Sequence, residues 1–324
     1  ALRIGQAGFE LENRYLKAEF TIGDGLLLRT LTSKYLGKNL LIAPTLFFMV
    51  HEHDVLIPNT DFKVVSVSET TPGAGGKAVR IILDCVRKKL QGVMTLALRD
   101  DAPELEVNFE LLNQGNQAAV AGITAPLLRS LRIGDDAADD RFFYPAASGA
   151  AGGLDCELRQ TYGVTAFMQV MSVFNPAAGG GVYGFTRETG GYPVIMMIKK
   201  KLPGKPLSAR YDVIAFDFNR GQNPPEVFTD EPGTSMAWRH IEYNLKPGMR
   251  AVLPSAVVGV QRGDWKEPLK RYGEFARTWF QKRYATPRWY MDCYAFLSGH
   301  PYSGLHLLHG PGPAGFFDRS AMDY

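Results

Sequence analysis

Within the run 104–112, apolar and polar positions alternate without a break from residue 104 to residue 111. Leu105, Val107, Phe109 and Leu111 fall on one side; Glu104, Glu106, Asn108 and Glu110 fall on the other. A period of two marks a strand with one buried and one wet face. Residues 91–99 predict the preceding strand, and Arg99-Asp100-Asp101-Ala102-Pro103 predicts the turn between them, because Asp and Pro suit turn geometry. Similar runs predict strands at 15–20, 26–31, 62–68, 79–86, 164–174, 182–186, 194–200, 209–218, 236–244 and 251–261. Gly- and Pro-rich breaks separate them, at 71–76, 175–181, 202–206 and 223–225. Many short strands with almost no helical period predict a mostly β fold. The strand number exceeds an immunoglobulin-size domain and suits a large antiparallel sandwich of two face-packed sheets.

The period changes after Gly263. Trp265, Leu269, Tyr272, Ala276 and Trp279 recur at steps of four and three, which predicts an amphipathic helix with an aromatic face. Asp264 suits its N-cap, with Glu267 placed to reach back. Pro268 belongs in a first turn, so the helix start is expected two or three residues beyond Asp264. After Thr286-Pro287, residues 288–296 read as one buried strand. A Gly-, Pro- and His-rich loop follows at 298–313, and residues 315–324 suit the opening of a helix. A strand, a loop and a short helix cannot bury a core, so this segment is expected to be the first βα unit of a larger domain.

Composition narrows the function only slightly. The chain has 324 residues, 45% hydrophobic and 21% charged, with a formal net charge of +3. No apolar run approaches the ~20 residues that span a bilayer as a helix, and the N-terminus lacks the charged-then-apolar layout of a signal peptide. The lysine triplet Lys199-Lys200-Lys201 reads as a strand end entering solvent rather than a nucleic-acid face. Cys85, Cys156 and Cys293 form no C-x-x-C pair and read as small buried hydrophobes. Gly179-Gly180-Gly181 lacks the Lys-Ser/Thr of a phosphate loop and reads as a flexible hairpin. No Gly-x-Ser-x-Gly elbow and no Cys/His nucleophile pattern appear. His51-x-His53 puts two imidazoles on one strand face, but Glu52 and Asp54 favour an exposed polar strand end over a metal pair.

Four stretches carry a family resemblance. They are Leu11 to Phe20 with Gly25-Leu26; Phe167 to Phe174 with Gly179 to Thr186; Leu245-Lys246-Pro247-Gly248; and Val260-Gln261-Arg262-Gly263-Asp264-Trp265 with Tyr272 and Trp279. In this order they resemble glycoside-hydrolase-like proteins that carry a galactose-mutarotase-type β-supersandwich, a linker helix and a (β/α)8 barrel. The resemblance implies a supersandwich at 1–262, a linker helix at 263–285 and a truncated barrel start at 286–324. It implies hydrolysis of glycosidic bonds by the complete protein, no organic cofactor, and an oligo- or polysaccharide partner. Neither nucleic acid nor membrane is implied, and a secreted or periplasmic location is.

In such proteins the acid/base and nucleophile carboxylates sit at the C-terminal ends of barrel strands. Only one such strand is predicted here, so the catalytic pair is not assignable. Asp292, inside the apolar run from Trp289 to Phe296, suits hydrogen bonding to a sugar hydroxyl or a structural ion pair. His300, Tyr302, His306 and His309 share the loop after that strand, where substrate contacts would lie. Sugar rings stack on aromatic faces, which makes Trp238, Trp289, Tyr144 and Tyr162 candidates, with core packing as the alternative. His240 and Glu242 share a strand face with Trp238 and are the only acid/base pair in the sandwich suited to a mutarotase-like reaction. A non-catalytic glycan-binding or scaffold module is the other reading of the whole.

Overall fold

The computed structural model describes residues 1–280 apart from 24, 53–54, 73–74, 147–148, 164–165, 191–192 and 214–226. Among the described residues the strands form three sheets, of six, ten and seven strands. The ten-stranded sheet runs in the order Ala150–Gly152, Arg141–Tyr144, Val170–Asn175, Gly180–Thr186, Ala256–Arg262, Glu104–Asn113, Leu90–Leu98, Lys77–Cys85 and Lys63–Thr70, with Arg250–Val252 also paired to Glu104–Asn113. In the seven-stranded sheet Ala209–Val213 is followed by Cys156–Thr161, Val194–Lys201, Gly233–Leu245, Ala119–Leu131, Met49–Glu52 and Val55–Ile57. Pairing is antiparallel except between Cys156–Thr161 and Ala209–Val213. The six-stranded sheet is built on Leu2–Gly5, Gly8–Glu12, Leu16–Gly23 and Gly25–Ser33. The fold is thus mostly β and antiparallel, as the alternating pattern predicts, but with three sheets among the described residues rather than the two expected.

One apolar core joins the three sheets. Leu105, Val107, Phe109 and Leu111, the apolar side of the 104–113 strand, are all in it. They meet Phe9, Phe20 and Leu28 of the six-stranded sheet and Met196, Ile198, Met236 and Trp238 of the seven-stranded one. Phe9 stacks on Phe20 at 4.9 Å, Phe20 meets Phe47 edge-on at 5.2 Å, and Phe48 lies 5.2 Å from Phe109. Cys85 and Cys156 are buried free thiols, and burial pushes Cys156 up to about 11. They behave as the small hydrophobes expected; Cys293 lies outside the described residues.

Trp238 is the largest side chain of this core, with 0% of its surface exposed. Its indole fills a space left by Gly184 of the ten-stranded sheet. A Cβ at Gly184 would lie 2.5 Å from Trp238 Cη2 and 2.9 Å from the Val257 carbonyl oxygen, closer than such atoms approach. The indole N–H donates to the Gln169 carbonyl at 2.9 Å, which satisfies the one polar atom that burial would otherwise strand. Gln169 is itself held: its Nε2 donates to the Glu188 carbonyl at 2.8 Å, and its Oε1 accepts from Thr186 Oγ1 at 2.5 Å and from the Glu188 N–H at 3.0 Å.

Several sequence expectations change. Ala119–Leu131 is a thirteen-residue strand central to the seven-stranded sheet, and no period predicts it. Nearly all of it is buried, so it shows no alternation, and Gly122 and Pro126 read as breakers. The sheet absorbs Pro126 at a register shift between Thr124 and Leu127, where no ladder N–H is required. The 164–174 run becomes strand only at Val170, with Phe167 exposed before it. The 251–261 run splits into Arg250–Val252 and Ala256–Arg262. The Gly179–Gly181 hairpin is tight rather than loose: a Cβ on Gly181 would lie 2.2 Å from the Val173 carbonyl oxygen.

Nor does the lysine triplet enter solvent as a block. Lys200 is fully buried, and its ammonium donates to the carbonyls of Ala138 and Gly153, both at 2.9 Å, and of Asp140. Lys199 is also buried and pairs with Asp230 at 3.0 Å. Burial lowers the Lys200 pKa, and the charges of Asp140, Asp139 and Asp155 oppose that shift. The Asp140 carboxylate in turn accepts from the N–H groups of Ile133 and Gly134, each at 2.7 Å, and from Asn175 at 3.0 Å. A buried charge is tolerated when its hydrogen bonds are complete, and here they tie the 133–140 corner to both large sheets.

The helix Lys266–Trp279 starts two residues beyond Asp264, as Pro268 suggests. Asp264 Oδ1 accepts from the Lys266 N–H at 3.0 Å, so Pro268 falls within the first turn, where its missing N–H is harmless. The stripe that packs on the sheet is the buried Tyr272 with the partly buried Trp265, Leu269 and Phe275; Phe275 rather than Ala276 completes it.

Trp238→Ala should lower unfolding free energy by about 3–5 kcal/mol, the range for emptying a large aromatic site in a packed core. Urea denaturation of the two proteins measures it, and a loss below about 1 kcal/mol would show that the indole is not enclosed.

Candidate functional site

The outer face of the ten-stranded sheet divides into an apolar half and a polar half. Cross-strand register sets the rows. One row reads Thr70, Ala78, Ala97, Glu106, Val257, Phe185 and Val170 across seven strands. The next reads Glu104, Gly259, Tyr183, Ser172 and Phe143. The helix Lys266–Trp279 covers the apolar half. Trp265 stacks on Phe143 at 5.5 Å, Tyr272 meets Phe185 edge-on at 5.7 Å, and Phe275 stacks on Phe185 at 6.1 Å.

Beside the helix the polar half forms a groove of about 430 Å³. Ala97 makes its floor, over the buried Ala78 and Val257; Thr95, Glu104, Glu106, Asn108 and Arg187 line it; Thr70 to Pro72 and Arg99 close its ends. Both carboxylates are held in place. Tyr183 donates to Glu104 Oε1 at 2.7 Å. Burial and the Glu104 charge raise the Tyr183 pKa well above its ordinary value, so the phenol stays protonated and remains the donor. Glu106 receives Arg187 at 3.2 Å, Ser255 at 3.2 Å and Asn108 at 3.4 Å.

The Tyr183–Glu104 bond depends on Gly259. Tyr183 lies across the strand between its own and that of Glu104, and a Cβ at Gly259 would sit 2.4 Å from Tyr183 Cζ and 2.6 Å from its hydroxyl oxygen. The wet side of residues 104–110 is legible in the sequence. Nothing in the linear pattern brings Tyr183 and Arg187 beside it, because only the strand order places Gly180–Thr186 two strands away.

A second, larger cleft of about 680 Å³ lies over the outer face of the seven-stranded sheet, lined by Met49, Leu56, Phe228, Glu157, Lys199 and Arg210 among others. Glu157 there accepts from Arg159 Nε at 2.6 Å, both side chains buried. Among the described residues no three His, Cys, Asp or Glu side chains converge as a metal site.

The residues expected to contact sugar divide sharply. Asp292, Trp289, His300, Tyr302 and His306, together with His309, lie outside the described residues. Trp238 is within them and is enclosed, so it offers no face to a sugar. Tyr144 is likewise buried, its hydroxyl donating to the Met196 carbonyl at 2.8 Å, and Tyr162 is half-buried. Alternation does put His240 on the same face as Trp238, but that face is the core: His240 is opposite Val194 and Ile123. Burial pushes its imidazole down to about 4, partly offset by the backbone of Ala125. The side chain of Glu242 lies outside the described residues, and His240 itself is fully buried. His51 is buried rather than exposed, and among the described residues neither of its ring nitrogens has a hydrogen-bond partner. Burial, with the Arg239 charge added, pushes it down to about 3. His53 lies outside the described residues.

Solved structures share this architecture. A GH36 α-galactosidase from Geobacillus stearothermophilus superposes with a TM-score of 0.57 at 10% identity, over 86% of this chain and 43% of its own. An α-galactosidase from Lactobacillus brevis gives 0.55 at 9% identity, over 85% and 42%. The galactosidase domain of an α-galactosidase–sucrose kinase gives 0.53 at 10% identity, over 81% and 42%. This is a fold that GH36 α-galactosidases carry. The chain spans less than half the length of each of these α-galactosidases, and at such identities the likeness concerns the fold alone. No family model matches the sequence, and no curated protein matches it. The likeness to glycoside hydrolases expected from the Gly263-Asp264-Trp265 junction and its flanking segments is met at the level of fold.

Both buried histidines make stability depend on pH. An unfolded chain protonates them near the ordinary value of 6.5, whereas the folded protein holds them neutral down to about 4 and about 3. As pH falls below 6.5 the unfolded state binds more protons. The stability gained by keeping each imidazole neutral is therefore complete above 6.5 and is lost as pH falls through its folded value. Each histidine should contribute a loss of about 3 kcal/mol between pH 7 and pH 4. Urea unfolding of the wild type and of His240→Gln at both pH values should show the variant losing less; equal losses would contradict the enclosed, neutral His240.

Proposed function

We propose that this chain is the N-terminal region of a carbohydrate-active glycoside hydrolase. In this reading residues 1–262 are a galactose-mutarotase-type supersandwich, 263–285 link it onward, and 286–324 begin a (β/α)8 barrel. The observation that carries the proposal is the fold likeness to three α-galactosidases over more than four-fifths of the chain. Variants of a second GH36 α-galactosidase from Geobacillus stearothermophilus are described in complex with stachyose, raffinose and 1-deoxygalactonojirimycin, which makes galactosides the first substrates to test. Asp292, Trp289, His300, Tyr302 and His306 are then assigned to sugar contacts at the barrel mouth. The mature protein is placed outside the cytoplasm.

The described residues support a supporting rather than a catalytic role for the sandwich. Glycosidic hydrolysis needs two carboxyl groups flanking the scissile bond. Glu104 and Glu106 are roughly 7 Å apart along the backbone, as i and i+2 positions of a strand are. They nevertheless project from one face of one strand and would meet a ligand from the same side. Their oxygens are also engaged by Tyr183, Arg187 and Ser255. A non-catalytic glycan-binding module is the second reading, and the groove favours it.

The purified 324-residue chain should not hydrolyse 4-nitrophenyl α-galactoside above the buffer rate. Turnover that disappears in Glu104→Gln or Glu106→Gln would show that the sandwich itself is catalytic and would overturn the assignment.

A further inference from the structure

The groove on the ten-stranded sheet has properties that its role as a domain surface does not require. Outer faces of sheets usually carry large polar side chains that fill their own space. Here Ala78 and Ala97 are directly opposite each other on neighbouring strands, with Glu106 next in the row. Two methyl groups in succession leave a depression, and its volume of about 430 Å³ lies in the range of small-ligand sites.

The chemistry of the walls is mixed. Glu104 and Glu106 accept, Arg187 and Asn108 donate, and Thr95 can do both. Charge is largely compensated, since Glu106 already pairs with Arg187 at 3.2 Å. A ligand for this groove therefore carries several donors and acceptors at short spacing and little net charge. It also presents an apolar edge to the alanine floor. A pyranose meets both conditions: its hydroxyls donate and accept, and one C–H face is flat and apolar. A bare metal ion does not, because no three metal-binding side chains converge among the described residues.

The walls are also pre-set. Tyr183 fixes Glu104 over Gly259, and Arg187 with Ser255 fixes Glu106. Binding then costs little further side-chain ordering. We propose that this groove is a non-catalytic saccharide site on the sandwich, in which Glu104, Glu106, Asn108 and Arg187 bind hydroxyls above a floor at Ala97. The choice of saccharide probes rests on the reading of the chain as carbohydrate-active; the groove's geometry does not.

The test is isothermal titration calorimetry of the 324-residue chain with raffinose, stachyose and cellobiose, beside the variants Asn108→Ala and Glu106→Gln. Glu274→Gln, on the exposed side of the helix, is the control. At least one saccharide should bind saturably, and each groove variant should weaken it about tenfold or more, as expected for loss of a hydrogen bond involving a charged group or of its neighbour. The control should bind as the wild type does. Glu106→Gln also breaks an ion pair, so Ala97→Leu supplies an independent arm: it fills the floor, leaves the polar walls intact and should abolish binding with an unchanged circular dichroism spectrum. Absence of saturable binding by all three saccharides would overturn the site, as would binding that Ala97→Leu leaves unchanged. Neither outcome bears on hydrolase chemistry, which the aryl galactoside assay reads separately.

Discussion

Two missing side chains at the centre of the ten-stranded sheet hold the arrangement together. Gly184 and Gly259 sit on neighbouring strands, where Tyr183 pairs with Gly259 and Gly184 with Val258. Successive residues of a strand face opposite ways, so the two vacancies open on opposite sides. Inward, Gly184 admits Trp238 from the facing sheet; outward, Gly259 lets Tyr183 lie across its strand to Glu104. Either Cβ would come within 2.5 Å of an aromatic ring atom, and at Gly184 the Val257 carbonyl oxygen would lie 2.9 Å away as well. The same patch thus fixes how the sheets are seated and where the groove's first carboxylate points. Core complementarity and surface chemistry share one steric cause.

Around that patch the molecule keeps its polar groups on short leads. Gln169 anchors the Trp238 indole and is itself bonded to Thr186 and Glu188. Lys200 is buried yet surrounded by three carbonyls, and Asp140 by two N–H groups and an amide. Such networks cost desolvation and return specificity of placement, here of the corner that joins the two large sheets. On the ten-stranded sheet's outer face the apolar half is sealed by Trp265, Tyr272 and Phe275 of the helix. The polar half stays open beside it, and that division makes a groove at one position rather than a uniformly wet sheet.

The sequence was most legible where a strand has one wet face. Residues 104–113 are read correctly, side by side, because water on one face forces a period of two. Ala119–Leu131 is invisible to the same reasoning, since burial on both faces removes the period. For Trp238 and His240 the shared face is read correctly and its environment is not. Alternation says which side chains agree in direction, and only the packing of the other sheet says whether that direction is solvent or core. Lys199 and Lys200 fail for a related reason: charge argues for solvent until carbonyls and a carboxylate arrive from distant segments. In the helix the aromatic spacing is right and one position shifts, from Ala276 to Phe275, because the larger ring reaches Phe185. Of the groove, Glu104, Glu106 and Asn108 can be recognised as a polar face; Tyr183, Arg187 and Gly259 join them only through strand order.

The account therefore rests on a partition: Trp238 and Tyr144, which a linear reading offers to a ligand, are enclosed, and the open chemistry lies on the opposite side of the ten-stranded sheet. Hydroxyl-radical footprinting of the native 324-residue chain, read by mass spectrometry, tests this most directly. Phe167, with 63% of its surface exposed, should be oxidised readily, while Trp238 and Tyr144 should remain unmodified until the protein unfolds. Oxidation of Trp238 in the native protein at a rate comparable to that of Phe167 would contradict it.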